Sequence, residues 1–335
     1  MFVAVVLGSA GGFGTRALAQ EAPRLRADVL MAEELTEEIR QSIAMYVTHW
    51  AGQLQSEDAQ RVAEARRRLL EPVRGGRVSE AFTGHYSEQA GAELRPALDS
   101  DQLVVRLNAI IVVTRLSGEA ALPLIEQGMT DDSPAVRYWA IKAVQTVEFA
   151  DQDKSTLVER VVAHLERESE PSVAEQTMVA LVDIDLPEAR TRGLEVLNAR
   201  IARHLNEPGR SMQVEHAGLS RVYQQLARTG DPDRPALRQL ARAAVRYQDL
   251  AARYLQAEGV EEEARESYIR MIELCNAVLR FTADNLNAAG VPGRIEPIVA
   301  QGNWGGVEQN ADEWRALMLR PPYGLTEQDL AVAGE

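Results

Sequence analysis

The sequence predicts an all-α fold, an α-solenoid of antiparallel helix pairs that ends in a long helical hairpin. Three observations carry that expectation. Ala, Leu, Arg, Glu and Gln, all strong helix formers, dominate the 335 residues, and aromatic residues make up only 5%. Runs of Val, Ile and Thr alternating with polar residues, the mark of half-buried strands, are scarce. One helix plan returns after 31 and again after 37 residues, from Val105 to Val136 to Val173.

At the N-terminus, Phe2 to Leu7 form an apolar run that leads into small residues and closes on Ala17-Leu18-Ala19. That is an A-x-A cleavage pattern, although no cation precedes the run, so residues 1–19 are expected to be a signal peptide. Gly12, Gly14 and Ala17 also fit G-x-G-x-x-A, but a dinucleotide turn needs strand–helix–strand units behind it, and none follows. The expected product is exported, periplasmic or extracellular, and soluble after cleavage. No other segment approaches the roughly 20 apolar residues of a membrane span. Cys275 is the single cysteine, so no internal disulfide forms.

Residues 20–79 read as N-terminal helices. In "THWAGQLQSEDAQRVAEARRRLLEPV", Val62, Ala65 and Leu69 form an apolar comb that suggests a degenerate repeat.

Residues 80–230 hold the clearest pattern. In "DDSPAVRYWAIKAV", Asp132 or Ser133 caps a helix and Pro134 suits its first turn, where the missing N–H is harmless. Val136, Ala140, Ala143, Val144 and Val147 then share one face. "DSDQLVVRLNAIIVV" repeats the plan, with Asp101 for Asp132, Val105-Arg106 for Val136-Arg137, Ala109 for Ala140 and Val113 for Val144. "ESEPSVAEQTMVAL" supplies Val173, Thr177 and Leu181. "SMQVEHAGLSRVYQQL" supplies Val214, Gly218 and Val222, without the acid or the arginine. Another apolar-faced helix precedes each of these, across a short polar turn.

These residues resemble the HEAT-repeat family of armadillo-like solenoids, whose second helix reads D-x-x-x-V-R-x-x-A-x-x-A-L. The resemblance covers about residues 80–230, with two well-marked units. It implies a curved scaffold whose helical face binds other macromolecules, and it implies no chemistry. It also implies that the Val-Arg arginine reaches an acid of an adjacent turn. Asp101, Arg106, Asp132 and Arg137 are therefore expected to be structural.

From 231 the pattern changes. After "GDPDRP", Leu237, Leu240, Ala244, Tyr247, Ala251 and Tyr254 alternate steps of three and four, a coiled-coil-like seam over roughly 236–257. "GVEEE" turns the chain, and its acids suit the start of the next helix. That helix carries Ala264, Tyr268, Met271, Cys275, Val278 and Thr282 to about Asn287, so 231–289 form a long hairpin. Residues 290–335 are expected to be an irregular tail with one short helix, "NADEWRALML", and a frayed acidic end.

Chemistry is sparse. His49, His85, His164, His204 and His216 form no metal-binding spacing. His164 and His204 fall on successive first helices and are expected on partly exposed polar faces. Cys275 lies on an apolar stripe and reads as core. The turns "DDS", "DQD" and "DPD" continue into no calcium loop. No catalytic, cofactor-binding or metal-ligating residue is assigned, and no cofactor is expected. A net charge of −14 argues against nucleic acid as a partner.

Four aromatic residues are candidate contacts for a protein partner. Tyr138 and Trp139 flank the core position Ala140, one expected to pack and the other to rim the surface. Trp304 and Trp314 either pin the tail or recognise a partner. The expected function is an exported, non-enzymatic scaffold that binds a protein through its helical surface. Two alternatives remain: a repeat dock carrying a ligand-binding or catalytic region at 231–335, and a structural envelope or assembly protein that self-associates.

Overall fold

The computed structural model describes residues 22–74, 78–206, 209–230, 232–257 and 259–331. The expected signal peptide, residues 1–19, lies outside them. Among the described residues there are sixteen helices and no strand. After the short α1 (Ala27–Leu30), six pairs follow: α2 (Glu37–Leu54) with α3 (Ala59–Arg74), α4 (Glu80–Leu98) with α5 (Leu103–Val113), and α6 (Gly118–Met129) with α7 (Pro134–Thr146). Next come α8 (Asp151–Arg167) with α9 (Pro171–Asp183), α10 (Pro187–Asn206) with α11 (Gln213–Arg228), and the long hairpin α12 (Arg234–Leu255) with α13 (Glu262–Leu286). The tail adds α14 (Glu296–Ala300), α15 (Trp304–Met318) and α16 (Glu327–Leu330).

The second helices α3, α5, α7, α9, α11 and α13 form one continuous row, each packed on the next, and the first helices lie behind them. The combs read from the sequence make this seam. Val105, Ala109, Val113, Val136, Ala140 and Val144 are all buried. Small central residues let helices approach: a methyl added at Gly128 would meet Ile110 Cδ1 at 2.8 Å and Ala140 Cβ at 2.9 Å. Burying one valine or leucine contributes about 1.5–3 kcal/mol. No pair closes its own core, so one apolar cluster runs from Val29 to Leu330 and neighbours share the stability.

Both ends of the row are covered by the chain itself. At the N-terminal end, Trp50 Nε1 donates to the Pro23 carbonyl at 3.4 Å. Ser79 donates to the carbonyls of Leu30 (backbone N, 3.0 Å) and Ala32 (hydroxyl, 2.5 Å), which fastens α1 and its flanks.

At the other end the expectation of an irregular tail is corrected over residues 290–331, while residues 332–335 of the expected frayed end lie outside the described ones. Helix α15 is longer than the sequence suggested, because the Asn303 side chain caps it by accepting from Gly306 N at 3.0 Å. Gly306 is needed for close packing, since a Cβ there would stand 2.8 Å from Ile298 Cγ2. Trp314, Met318, Tyr323 and Leu330 are buried, and the tail docks on α12. Asn310 sits at the centre of that dock. Its Oδ1 accepts from Gln248 at 2.9 Å, and its Nδ2 donates to the Gly293 carbonyl at 3.1 Å. Arg242 Nε then holds the last turn through the Asp329 carbonyl at 2.9 Å.

Candidate functional site

Two sets of charged residues tie the units together. At the turns, Arg106 reaches from α5 to the Asp131 carboxylate at 2.8 and 3.2 Å and to Asp132 at 2.5 Å. Arg137 repeats this one unit later on Glu168, with two hydrogen bonds of 2.7 and 2.8 Å. A bidentate fork of this kind fixes direction as well as distance. Each arginine also donates to backbone carbonyls of its own turn, Arg106 to Ser100 and Asp101, Arg137 to Asp131 and Asp132.

Of the expected acids, Asp132 does answer Arg106 and Asp101 needs correcting. Asp101 offers its carbonyl and not its carboxylate, and Asp132 is mostly exposed. Asp131 and Glu168 carry the pairing. Each acid also caps the turn ahead of the next second helix: Asp131 Oδ1 accepts from Ser133 N and Glu168 Oε1 from Glu170 N, both at 2.8 Å.

Deeper in the array the charges move inside. Val214-Glu215 occupies the Val-Arg position of the fourth unit with inverted sign, a signal present in the sequence. Glu215 accepts from Arg200 Nε at 2.6 Å and stands 3.2 Å from His204 Nε2. All three side chains are almost wholly buried. Burial alone would push the Glu215 carboxyl up, but His204 and the positive field of Arg200 outweigh it and hold it at about 2. Tyr247 sets its ring edge against His204, and Tyr254 donates to the His204 carbonyl.

The expectation that His164 and His204 lie on partly exposed faces is therefore wrong: both are buried. Each packs at the last turn of a first helix, beside a glutamate that an arginine already neutralises. Burial draws the His164 imidazole below its ordinary range, although Glu168 stands 3.4 Å away. Cys275 is buried in the hairpin, and burial pushes its thiol far up.

Of the aromatic candidates, Trp139 packs half-buried against the core, while Tyr138, also half-buried, lies under Lys142 Nζ, 5.8 Å from its ring centre. Trp304 is half-buried at the start of α15. Trp314 is fully buried and is not a contact any partner can reach.

Across the second-helix row a second, half-buried polar chain links three units. Gln145 of α7 accepts from Gln176 of α9 at 2.5 Å and donates to Asp183 at 2.9 Å. Asp183 also accepts from Arg221 of α11. Among the described residues no helix is long and apolar enough to cross a membrane, and no group of three or more His, Cys, Asp or Glu side chains is placed to hold a metal ion.

Residues 91–181, from the middle of α4 to the end of α9, match the family model for HEAT repeats. No curated protein matches the chain. A crystal structure of an engineered protein aligns with 69% of this chain and 97% of its own, at 17% identity and a TM-score of 0.40. Residues 91–181 of this all-α array are therefore similar to HEAT repeats, which generally serve in protein-interaction scaffolds.

Proposed function

We propose that the chain is an exported, non-enzymatic scaffold that holds a protein partner along its row of second helices. One observation carries the reading. Gln145, Gln176, Asp183 and Arg221 lock the outward side of α7, α9 and α11 into one polar chain, so that face is set before anything binds. A surface ordered in advance loses less entropy on association. Segments of the chain itself lie on both terminal pairs, Pro23 and the α1 flank on the first and α15 with α16 on α12, which supports lateral binding over end-to-end assembly. The tail supports the same view: Trp314 and Asn310 serve the packing of α15 on the hairpin, which makes 290–331 a lid for the array. Export rests on the Ala17-Leu18-Ala19 pattern.

Two measurements test the reading. Mass spectrometry of the mature protein from its host should find a chain beginning at Gln20 in the extracytoplasmic fraction; an intact N-terminus in the cytoplasm overturns export. Captured proteins from that fraction should bind the purified chain in calorimetric titration and lose affinity when Gln145 and Arg221 are both changed to alanine. Failure of every captured protein to bind in titration overturns the scaffold.

A further inference from the structure

Helix α5 carries an apolar strip that its own stacking does not require. Leu103 and Val104 are 46% and 37% exposed, and Leu107 and Ile111 continue the strip half-buried. The other second helices are an internal control. Counted from the buried valine of each unit, the same four positions hold Pro134, Ala135, Tyr138 and Lys142 on α7, and Pro171, Ser172, Glu175 and Val179 on α9. Those units stack equally well, so the requirement of the seam is met by Val105, Ala109 and Val113 alone. Exposed apolar area beyond what packing needs marks a contact surface.

The strip lies between helices of one sign. On one side, α3 has five arginines and two glutamates, a net charge of +3. On the other, α7 has Arg137 and Lys142 and no acid. Arg61, Arg106 and Arg137 are spent on turn carboxylates; the other five cations of α3, α5 and α7 face Glu64 and Glu71, a surplus of three. This surplus stands in a chain whose total is −14. Among the described residues Lys142 has Gln145 and the Tyr138 ring as neighbours and forms no ion pair. The face also offers side chains only. No strand edge is present among the described residues to pair with an extended peptide, whereas a helix satisfies its own backbone and needs only side-chain contacts from this face.

We infer that the α3–α5–α7 face docks an amphipathic helix of a partner protein, with its apolar seam on Leu103, Val104, Leu107 and Ile111 and acidic residues along both borders. This deepens the scaffold reading and rests on it.

The test uses the full chain and a fluorescein-labelled synthetic helix with leucines at i, i+4 and i+7 and glutamates on both borders. A matched peptide carries lysine in place of each glutamate. The acidic peptide should bind at least about tenfold more tightly than the basic one. Leu103→Asp with Val104→Glu should abolish that binding while the helical circular dichroism is unchanged, because both side chains are exposed. Lys142→Glu, a milder change, should weaken the acidic peptide and leave the fold intact. Equal binding of the two peptides, or indifference to the double substitution, overturns the inference. So does preferential binding to anionic phospholipid vesicles, or a dimer of this chain that the double substitution dissolves. If captured partners still bind in titration while these results are negative, the scaffold stands and only this face is wrong.

Discussion

Between α5 and α9 the units are joined at their turns, where Arg106 and Arg137, mostly buried at 13% and 15% exposure, reach from one unit to the carboxylates of the next. The exposed Asp132 opens that edge to water. Between α10 and α12 the charges are inside: Arg200 and Glu215 pair with almost no access to water, and His204 closes on them. The glycines divide the same way. Gly128 is pressed by the branched Ile110 and the Ala140 methyl, whereas Gly218 lies under the flexible Met178 side chain, with Cγ 2.5 Å from the position of a Cβ. The first region is precise and wet at its edge, the second compliant in packing and dependent on one buried ion pair. A charge at a turn can fall back on water; a charge in the core cannot.

The largest expected effect breaks the second region. Glu215→Ala leaves Arg200 buried without its counter-ion and should cost about 3–5 kcal/mol in urea unfolding. Replacing both partners, Arg200→Met with Glu215→Leu, should recover most of that loss. A single-variant cost below about 1 kcal/mol would show that water reaches the pair and would erase the distinction between regions.

Acid should act on the same residue. The Glu215 carboxyl is held at about 2, below its ordinary 4.5, so its contribution is present above pH 4.5 and is lost as pH falls toward 2. His164 acts earlier. Its folded pKa is below the ordinary 6.5, so the unfolded chain takes up the proton first and stability declines as pH drops below 6.5. Unfolding free energies at pH 7, 5.5 and 3.5 should show two steps. The first should be reduced by His164→Gln, with the likewise depressed His216 supplying the rest, and the second by Glu215→Gln, with Glu168 supplying part of the remainder.

At the turns, Asp131→Ala removes a fork and a helix cap together and should cost about 2 kcal/mol. Gly128→Ala should cost about 1–3 kcal/mol by overpacking. Gly218→Ala should also destabilise, by an amount reduced by the roughly 1 kcal/mol that alanine adds to a helix, because Met178 Cγ at 2.5 Å and Leu197 Cδ2 at 3.1 Å must both give way. Thermal melts of the two alanine variants sharpen the contrast directly. Smallest of all is Asp132→Ala, where an exposed carboxylate leaves and no shift in the melt is expected.

Much of the fold was legible because it is periodic. Val105, Ala109 and Val113 announce a seam by spacing alone, and so do the combs of α3, α7 and the hairpin. The ion-pair plan was legible only in outline. Arg106 and Arg137 were found by register, but which acid answers depends on how one unit is set against the next, so Asp131 and Glu168 were missed and Asp101 was named. His164 and His204 misled because imidazole is polar by type, and only the third dimension shows a glutamate and an arginine waiting beside it. The tail escaped for another reason. Asn310, Gln248 and Gly293 make a network between residues far apart in the chain, and no short-range pattern records it.

The strip on α5 was also in view and unread, since in one unit Leu103 and Val104 look like more core. Only a position-by-position comparison with α7 and α9, after burial is known, separates what stacking uses from what it leaves over.

The two lids restrict how such a protein can change its length over evolutionary time. A unit added beyond α1 or after α13 would strand the segment that now shuts that end, leaving Trp50 or Trp314 bare. A unit duplicated between them, such as a copy of α6 with α7, would keep both closures and carry its own arginine to the next turn. Relatives of different length should therefore differ in the middle and agree at the margins.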